Sequence, residues 1–347
     1  MTEQNLSAVL HAIHDLRIED RPVPEAGHGE VLVRVEAVGI CGSDVHYYEH
    51  GRIGDFVVEK PMVIGHEAAG TIEAVGEGVP ASRVGELVAL EPGVPCRRCG
   101  ECLAGRYNLC PDVVFFATPP VDGAITRRVA IDAQFAHPVP AGITAEEAAM
   151  AEPVSVGVWA CRRAGVGVGD RVLVTGAGPI GLLAAQVARA FGAETVRVTD
   201  LDDVRLAKAA GLGFETRRAD ARADGEFDVL LECSGAAPAF RSGLSQLARA
   251  GRAVLIGMGA DTVELNVPLV QGRELTVTGL FRYANCYPAA LQLIGAGAVD
   301  AAGMITHRFG LEETEAAMTV NGRDPEALKA MVLPQQRTVA PRPPVSG

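Results

Sequence analysis

The sequence predicts an α/β protein of two domains, in which a β-rich domain precedes a doubly wound parallel sheet. The chain has 347 residues, and at roughly 100–200 residues per domain this length suggests two domains with full cores. Short apolar runs separated by Gly, Pro and Asp fill the first 150 residues, whereas strand-like and helix-like segments alternate from Gly169 onward. Strands that are separated by helices form a parallel sheet with helices on both faces.

The β-rich part contains strand patterns and ends at a helix signal. Its clearest strand segments are Glu30–Val38, Ala69–Val75 and Leu87–Leu90. In the first of these, Val31, Val33 and Val35 alternate with polar residues, so they share one side of a strand. Thr144 is followed by acidic residues, which is typical of an N-cap. An Ala-rich helix is therefore predicted to begin there.

The second part alternates between strands and helices. The predicted strands are Arg171–Thr175, Thr195–Thr199, Phe227–Leu231, Ala253–Ile256 and Leu275–Phe281. Helices are predicted over Ile180–Phe191, where Gly192 ends the helix, and over Val204–Ala210. After Tyr283 the chain is predicted to be helical, and from Pro334 it becomes a Pro-rich tail with little core-forming content.

Composition and charge exclude several classes of function. The net charge of -12 argues against electrostatic binding of nucleic acid or of an anionic membrane. The N-terminus has neither the basic start nor the apolar core of a secretory signal, and no apolar run reaches the ~18 residues of a membrane span. We therefore expect a cytoplasmic protein, whose cysteines are metal ligands or core residues and not disulfides.

A quartet of cysteines is the sharpest signal in the chain. Cys96, Cys99, Cys102 and Cys110 are separated by two, two and seven residues. Four thiolates on one ion make a closed tetrahedral zinc site, which has no open position for chemistry. Iron–sulfur clusters also use four cysteines, but their familiar spacings differ from this one. The quartet therefore predicts a structural zinc.

A glycine-rich turn predicts a dinucleotide site. The turn reads Gly176, Ala177, Gly178, Pro179, Ile180, Gly181, a G-x-G-x-x-G that follows a predicted strand and opens a predicted helix. In this context Gly176 permits the tight turn, Gly178 lets the backbone approach the pyrophosphate and Gly181 allows close packing of helix and strand. The helix N-terminus supplies a positive pole for the phosphates.

The residues after the next strand favour NAD over NADP. Asp200 ends that strand, where a carboxylate accepts hydrogen bonds from a ribose 2′-hydroxyl and repels a 2′-phosphate. No arginine follows it immediately, although Arg205 is close enough to leave some tolerance of NADP.

Two short Gly-flanked loops carry further metal-ligating residues. One contains Cys41, Ser43 and His46, and the other contains His66 and Glu67. Taken singly, a Cys or His in a loop is weak evidence of a metal site. Their joint presence with a zinc quartet and a nucleotide fold indicates a second metal.

With these segments in view, the sequence resembles the zinc-dependent medium-chain dehydrogenases, and among them the polyol (sorbitol/xylitol) dehydrogenases. The segments that carry the resemblance are residues 39–48, Met62–Glu67, the cysteine quartet, Phe116–Pro120, Ala151–Pro153, the glycine-rich turn, Val198–Leu201 and Phe281–Tyr283. Together they extend from about residue 30 to residue 285. Tyr47 and the Phe-Arg-Tyr segment are the more specific to polyol enzymes.

The resemblance implies a fold and a catalytic metal. It implies a GroES-like β-barrel catalytic domain over residues 1–155 plus 286–347, and a Rossmann NAD-binding domain over residues 156–285. A catalytic zinc is expected in addition to the structural one, with Cys41, His66 and Glu67 as its ligands. Alcohol dehydrogenases of the family have a cysteine where this chain has Glu152, whereas polyol enzymes use the Glu67 position. Glu152 is therefore expected to ligate the zinc or to lie one water away.

The resemblance also implies an activity, which is the NAD-dependent oxidation of a polyol to the 2-ketose, as in L-iditol 2-dehydrogenases and D-xylulose reductases. In such enzymes zinc would supply a Lewis acid and NAD⁺ the hydride acceptor, and Ser43 and His46 are expected to relay the proton. Glu152 is an alternative base. The residues expected to contact the polyol are Tyr47, Phe115, Thr118, Arg282 and Tyr283. A homotetramer is expected, or else a dimer.

Other functions remain open from the residues alone. Threonine, glucose and simple alcohol dehydrogenases share the zinc and nucleotide motifs. A non-catalytic zinc-binding scaffold on the same fold is an alternative of another class. Zinc-independent quinone reductases lack the Cys41/His66 pair and the quartet, so a content near two zinc ions per chain would exclude them.

Overall fold

The computed structural model of the protein describes residues 4–259 and 261–339. The chain divides into two compact units. The first comprises Met1–Cys96, Pro111–Glu152 and Ala301–Gly347, and the second comprises Arg97–Cys110 and Pro153–Asp300. No helix within the described ranges is both long enough and apolar enough to cross a bilayer.

Short strands dominate the chain up to residue 140, and helices follow. The elements are β1 (Asn5–Ala12), β2 (Asp15–Arg21), β3 (Glu30–Gly39), α1 (Gly42–His50), β4 (Arg52–Ile53), β5 (Phe56–Val57), β6 (Met62–Val63), β7 (Glu67–Val75), β8 (Leu87–Leu90), β9 (Gly93–Val94), α2 (Gly100–Leu103), β10 (Val114–Phe115), β11 (Arg128–Asp132), β12 (Ala136–Pro138), α3 (Ala145–Ala149) and α4 (Ala151–Ala164). Thr144 is the N-cap of α3, as its sequence predicts, and its hydroxyl accepts a hydrogen bond from Glu147 N.

Strands and helices alternate after residue 170. These elements are β13 (Arg171–Thr175), α5 (Pro179–Ala190), β14 (Thr195–Asp200), α6 (Asp203–Gly211), β15 (Glu215–Arg218), β16 (Phe227–Glu232), α7 (Ala237–Ser245), β17 (Leu247–Leu255), α8 (Val267–Arg273), β18 (Thr276–Gly279), α9 (Tyr287–Gly295), α10 (Ala301–Met304), β19 (Ile305–Gly310), α11 (Thr314–Thr319) and β20 (Lys329–Leu333).

The first unit is built around a mainly antiparallel sheet. Its strand order is β12-β8-β7-β3-β20-β19, and β11 also pairs with β3. Val31, Val33 and Val35 of β3 are fully buried, as the alternation in the sequence predicts. A smaller sheet has the order β2-β1-β6.

The second unit contains the parallel sheet. Its strand order is β15-β14-β13-β16-β17-β18, and each neighbouring pair is parallel. Leu173 and Leu230 are fully buried members of a core that α7 completes with Phe240 and Leu244. The order reverses between β13 and β16, which is where sheets of this type bind ligands. The predicted α/β class, with a β-rich unit and a doubly wound sheet, is confirmed.

The C-terminal prediction is wrong in part. The chain after Tyr283 forms α9, α10 and α11, but it also forms β19 and β20. All five residues of β20 are buried, and β20 pairs with β3 and β19. A short, mainly apolar run such as that of β20 does not distinguish a buried strand from a helix by its periodicity.

The first residues of the predicted tail are bonded to the folded β-rich unit. Gln335 donates from its side-chain amide to Val35 O at 2.7 Å and to Arg127 O at 2.9 Å. These two bonds attach the chain beyond β20 to the β-rich unit. The segment therefore makes more contacts with the fold than its composition suggests. The remainder of the predicted tail, residues 340–347, lies outside the described residues.

Candidate metal and nucleotide sites

Pairing of β3 with β7 brings the predicted ligands of the catalytic zinc together. Gly39 at the end of β3 lies opposite Glu67 at the start of β7. Cys41 follows as the N-cap of α1, and His66 immediately precedes β7. One ligand atom each from Cys41, His66 and Glu67 can be chosen so that all three lie within 4.8 Å of one another. A thiolate, an imidazole and a carboxylate at this spacing fit a zinc ion with room for a fourth ligand.

Asp44, which the sequence analysis did not single out, connects the two ligand loops. Its fully buried carboxylate accepts hydrogen bonds from Cys41 N and from Gly65 N, both at 3.0 Å. Asp44 Oδ1 also lies 3.6 Å from His66 Nδ1. A partner of this kind fixes the orientation of a ligating histidine.

The imidazole of His66 lies in a strongly anionic setting. Burial alone would lower the pKa of His66, but the nearby charges of Asp44 and Cys41 raise it well above its usual value. The same negative charges favour a cation at this place. A metal ion that binds here displaces the imidazole proton, because only the neutral ring ligates.

A buried lysine from β20 neutralises Glu67. The ammonium of Lys329 donates to both carboxylate oxygens of Glu67 at 2.7 Å and to Ile40 O at 3.0 Å. Burial would lower the pKa of Lys329, but the charges of Glu67 and Cys41, the hydrogen bonds to Glu67 and the charge of Glu152 raise it. A carboxylate oxygen has a second lone pair, so Glu67 can bind Lys329 and a metal together.

The carboxylate of Glu67 also depends on a glycine. A Cβ atom at Gly39 would clash with Glu67 Oε2. The place that Glu67 occupies between Lys329 and the other ligands is therefore open only because β3 ends in a residue without a side chain.

Replacement of Lys329 by methionine is expected to lower the free energy of unfolding by about 3–5 kcal/mol, because it leaves the carboxylate of Glu67 buried and unpaired. Urea unfolding of the metal-free protein measures this loss. The double variant K329M/E67Q removes both charges and should regain most of it. A loss below about 1 kcal/mol in K329M would show that water reaches Glu67.

The other residues predicted to act at this metal lie in the same unit. Glu152, in the first turn of α4, is 6% exposed. It is near enough to Lys329 to affect that pKa, but it is not one of the three groups clustered within 4.8 Å. Phe115 places its ring centroid 5.9 Å from that of His66.

Three of the predicted residues lie on α1, within two turns of Cys41. Ser43 is half-buried, His46 is exposed, and Tyr47 is buried. The His46 ring stands 4.6 Å from that of His50. Thr118 is half-buried in the loop after β10.

The structure brings the cysteine quartet together. The sulfur atoms of Cys96, Cys99, Cys102 and Cys110 all lie within 4.8 Å of one another. Cys99 Sγ lies 3.4 Å from Cys102 Sγ and accepts a hydrogen bond from Cys102 N at 3.5 Å. Four sulfur atoms at this spacing fit a closed zinc site.

The remaining cysteines do not belong to either cluster. Cys161 is fully buried and burial raises its thiol pKa, so the protonated, inert form is favoured. Burial, with the nearby charge of Glu232, also raises the pKa of Cys233. Cys286 is fully buried and donates to Ala284 O.

The glycine-rich turn connects β13 to α5 at the point where the order of the parallel sheet reverses. Gly176 has a φ of 92°, which favours glycine, and Gly178 is the N-cap of α5. A Cβ atom at Gly181 would clash with Gly176 O, so only glycine allows this close packing. Pro179 and Ile180 open the helix, whose free N–H groups can bind phosphate.

Asp200 lies beside this turn. Its Oδ2 accepts a hydrogen bond from Ala177 N at 2.6 Å, and its Oδ1 accepts one from Asp202 N at 3.0 Å. Its remaining lone pairs can accept from a ribose hydroxyl. Arg205 is half-exposed on α6, with its Nε 4.0 Å from Asp202 Oδ2.

Comparison with known proteins shows the family to which the chain belongs. Residues 27–141 match the model of the alcohol dehydrogenase GroES-like domain, and residues 179–296 match that of the zinc-binding dehydrogenases. The chain is 43% identical over 325 residues to sorbitol dehydrogenase of Mus musculus, covering 89% of this chain and 90% of that protein. It is 43% identical over 348 residues to sorbitol dehydrogenase of Bacillus subtilis, covering 96% and 98%.

A solved structure extends the comparison to the cofactor. An alcohol dehydrogenase from Escherichia coli CFT073, complexed with NADH, superposes with a TM-score of 0.89 at 28% identity and covers 95% of this chain and 99% of that one. A GroES-like domain and a nucleotide-binding sheet in one chain, with two groups of side chains that could each hold a metal ion, define a zinc- and NAD-dependent oxidoreductase. The chain belongs to the zinc-dependent medium-chain dehydrogenases.

Proposed function

We propose that this protein oxidises a polyol to the 2-ketose and transfers the hydride to NAD⁺, with xylitol- or sorbitol-like substrates. The observation that carries the proposal is the Cys41, His66 and Glu67 cluster, in a chain that is 43% identical to sorbitol dehydrogenases over most of its length. The third ligand of this cluster is a carboxylate, with Glu152 buried near by.

The residues of the first unit divide the work at the metal. Cys41, His66 and Glu67 would hold the catalytic zinc, with Glu152 as a fourth ligand or one water away. When bound, the zinc is a Lewis acid that polarises the substrate oxygen. Asp44 orients His66, and Lys329 holds Glu67. Ser43 and His46 would pass the substrate proton towards solvent, while Glu152 is the alternative base.

The second unit would bind the cofactor. Gly176, Gly178, Pro179, Ile180 and Gly181 would receive the pyrophosphate at the N-terminus of α5. Asp200 would accept hydrogen bonds from the adenosine ribose and disfavour a 2′-phosphate, with Arg205 allowing limited use of NADP. Cys96, Cys99, Cys102 and Cys110 would hold the structural zinc.

The organisation of the protein is part of the proposal. We assign the catalytic domain to residues 1–155 plus 286–347 and the NAD-binding domain to residues 156–285. The protein would work in the cytoplasm as a homotetramer, with a dimer as the simpler alternative. Sedimentation velocity of the purified protein distinguishes these two states.

Substrate choice is proposed to depend on Tyr47, Phe115, Thr118, Arg282 and Tyr283. Arg282 is half-buried with its guanidinium 4.9 Å from the Phe281 ring centroid, and Tyr283 is buried with its ring 5.8 Å from that of Tyr287. A guanidinium has five N–H donors, which suits a hydroxyl-rich chain and not a hydrocarbon.

Replacement of Arg282 by alanine is expected to lower kcat/KM for the polyol by roughly 10- to 100-fold, because hydrogen bonds to a charged group contribute about 1.5–3 kcal/mol. The value for a simple alcohol should change much less. Steady-state kinetics with sorbitol and ethanol on the same preparation give both values. Equal losses for the two substrates would contradict a polyol-specific role of Arg282.

A substrate screen tests the whole proposal. NAD⁺ reduction is followed with xylitol, sorbitol, galactitol, ribitol, threonine, glucose and ethanol, and zinc is measured on the same sample. The expected result is reduction with one or more polyols at about two zinc ions per chain. Preference for threonine, glucose or ethanol would contradict the polyol assignment and identify a dehydrogenase of the same family with another substrate. No reduction by the zinc-replete protein with any substrate would favour a non-catalytic scaffold.

A further inference from the structure

The segment that follows β18 has an unfavourable backbone. Arg282 and Asn285 have φ values of 51° and 57°. Residues other than glycine seldom adopt this left-handed region, which persists where surrounding contacts hold it. Residues 281–285 include Arg282 and Tyr283, so the contacts that hold this backbone also set the direction of those two side chains.

Three hydrogen bonds to this segment come from the cysteine lobe, by which we mean residues 97–110, and a fourth comes from Arg162, which donates to Asn285 O at 2.7 Å. Asn108 donates from its side-chain amide to Phe281 O at 2.8 Å. Asn285 donates from its backbone to Tyr107 Oη at 2.7 Å and from its side chain to Gly105 O at 3.0 Å. By its contacts the lobe belongs to the second unit, although the sequence on both sides of it belongs to the first.

The lobe residues in these three hydrogen bonds all belong to one short loop between two cysteines of the quartet. Gly105, Tyr107 and Asn108 lie between Cys102 and Cys110. Binding of one ion by both cysteines would fix the two ends of this loop, in which α2 ends at Leu103 and a 3-10 turn spans Tyr107–Leu109. Without the ion, the loop loses the restraint that gives its polar groups their positions.

We propose that the cysteine lobe is a positioning element for substrate recognition, in which the metal held by the quartet fixes Gly105, Tyr107 and Asn108 and these residues hold Phe281–Asn285 in its polyol-binding conformation. The inference rests on the proposed roles of Arg282 and Tyr283. It gives the quartet a function in substrate selection in addition to stability.

The first test leaves the metal in place and removes the contacts. Tyr107→Phe and Asn108→Ala each remove one hydrogen bond to the segment, and each should raise KM for the polyol by about 3- to 10-fold, the range expected for one hydrogen bond. Neither kcat for the polyol nor KM for NAD⁺ should change much, and both variants should retain two zinc ions per chain. Arg106→Ala is the matched control, because Arg106 pairs with Glu101 inside the lobe at 2.7 Å. Unchanged polyol KM in both variants would overturn the proposal.

The second test does not require activity. Hydrogen–deuterium exchange of the peptide that spans residues 281–286 is compared between the wild-type protein and Cys102→Ser, which should lose the quartet metal. We expect exchange in this peptide to be at least ~10-fold faster in the variant, while exchange in β13 is unchanged, because local opening governs the rate. Equal exchange of the peptide, with one zinc lost, would overturn the proposal.

The two tests separate this proposal from the function on which it rests. If the wild-type protein oxidises no polyol, the proposed function fails, but the exchange comparison still measures whether the lobe holds the segment. If Cys102→Ser does not fold, Tyr107→Phe and Asn108→Ala provide the same exchange comparison with the quartet intact.

Discussion

Replacement of Glu152 by alanine is expected to lower kcat for polyol oxidation by about 10²–10⁴-fold, the range that a positioned acid or base contributes. Glu152 is buried in the first turn of α4, and its charge raises the pKa of Lys329, which itself binds Glu67. We propose that this carboxylate is a zinc ligand or the base that takes the proton of the substrate. Steady-state turnover at saturating NAD⁺ measures the loss.

Two further variants make this result specific. Glu152→Gln keeps an oxygen that can ligate but removes the base, so retained zinc with low turnover would identify Glu152 as the base. Glu146→Ala is the control, because Glu146 is partly buried on α3 and pairs with Arg308 at 2.6 Å. Turnover of Glu152→Ala within about threefold of the wild-type value would exclude any role of Glu152 in the reaction.

Replacement of Cys102 by serine is expected to remove one of the two zinc ions and, with it, free energy on the order of 10 kcal/mol that orders the cysteine lobe. The lobe contains α2 and a single 3-10 turn, so it has little secondary structure of its own to keep it folded. Zinc content and tryptic cleavage after Arg97, Arg98 and Arg106 measure the two effects.

Cys161→Ala is the matched control for this prediction. Cys161 is fully buried on α4 and belongs to neither metal cluster. This substitution should lower the free energy of unfolding by about 1 kcal/mol, because it leaves a small cavity, while both zinc ions stay bound. Cleavage of Cys102→Ser at the wild-type rate would mean that the lobe folds without its metal.

The elements that the sequence predicted well are those with local signals. The predicted strand Arg171–Thr175 has the same bounds as β13. The predicted helix Ile180–Phe191 is displaced by one residue from α5. The glycine-rich turn before α5 and Gly192 after it mark the two ends of this helix in the local sequence. The quartet is similar, since its spacing alone indicated one metal and the structure brings its sulfur atoms together.

The residues that sequence analysis missed depend on distant parts of the chain. Asp44 acts on Gly65 and His66, which approach it only through the pairing of β3 with β7. Lys329 binds Glu67 because β20 returns to pair with β3. A lysine inside the apolar run Ala327–Leu333 is an available signal, because a charged residue is almost never fully buried without a partner. The identity of that partner follows only from the fold.

The burial of Lys329 gives the protein an internal chemical reporter. The chain has three lysines, Lys60, Lys208 and Lys329. Lys60 is exposed and Lys208 is half-exposed, whereas Lys329 is 3% exposed beneath the pairing of β20 with β3. We expect an amine-selective reagent to reach Lys329 only in molecules where β20 has separated from β3, so the rate at which this amine is acylated measures how often these two strands separate.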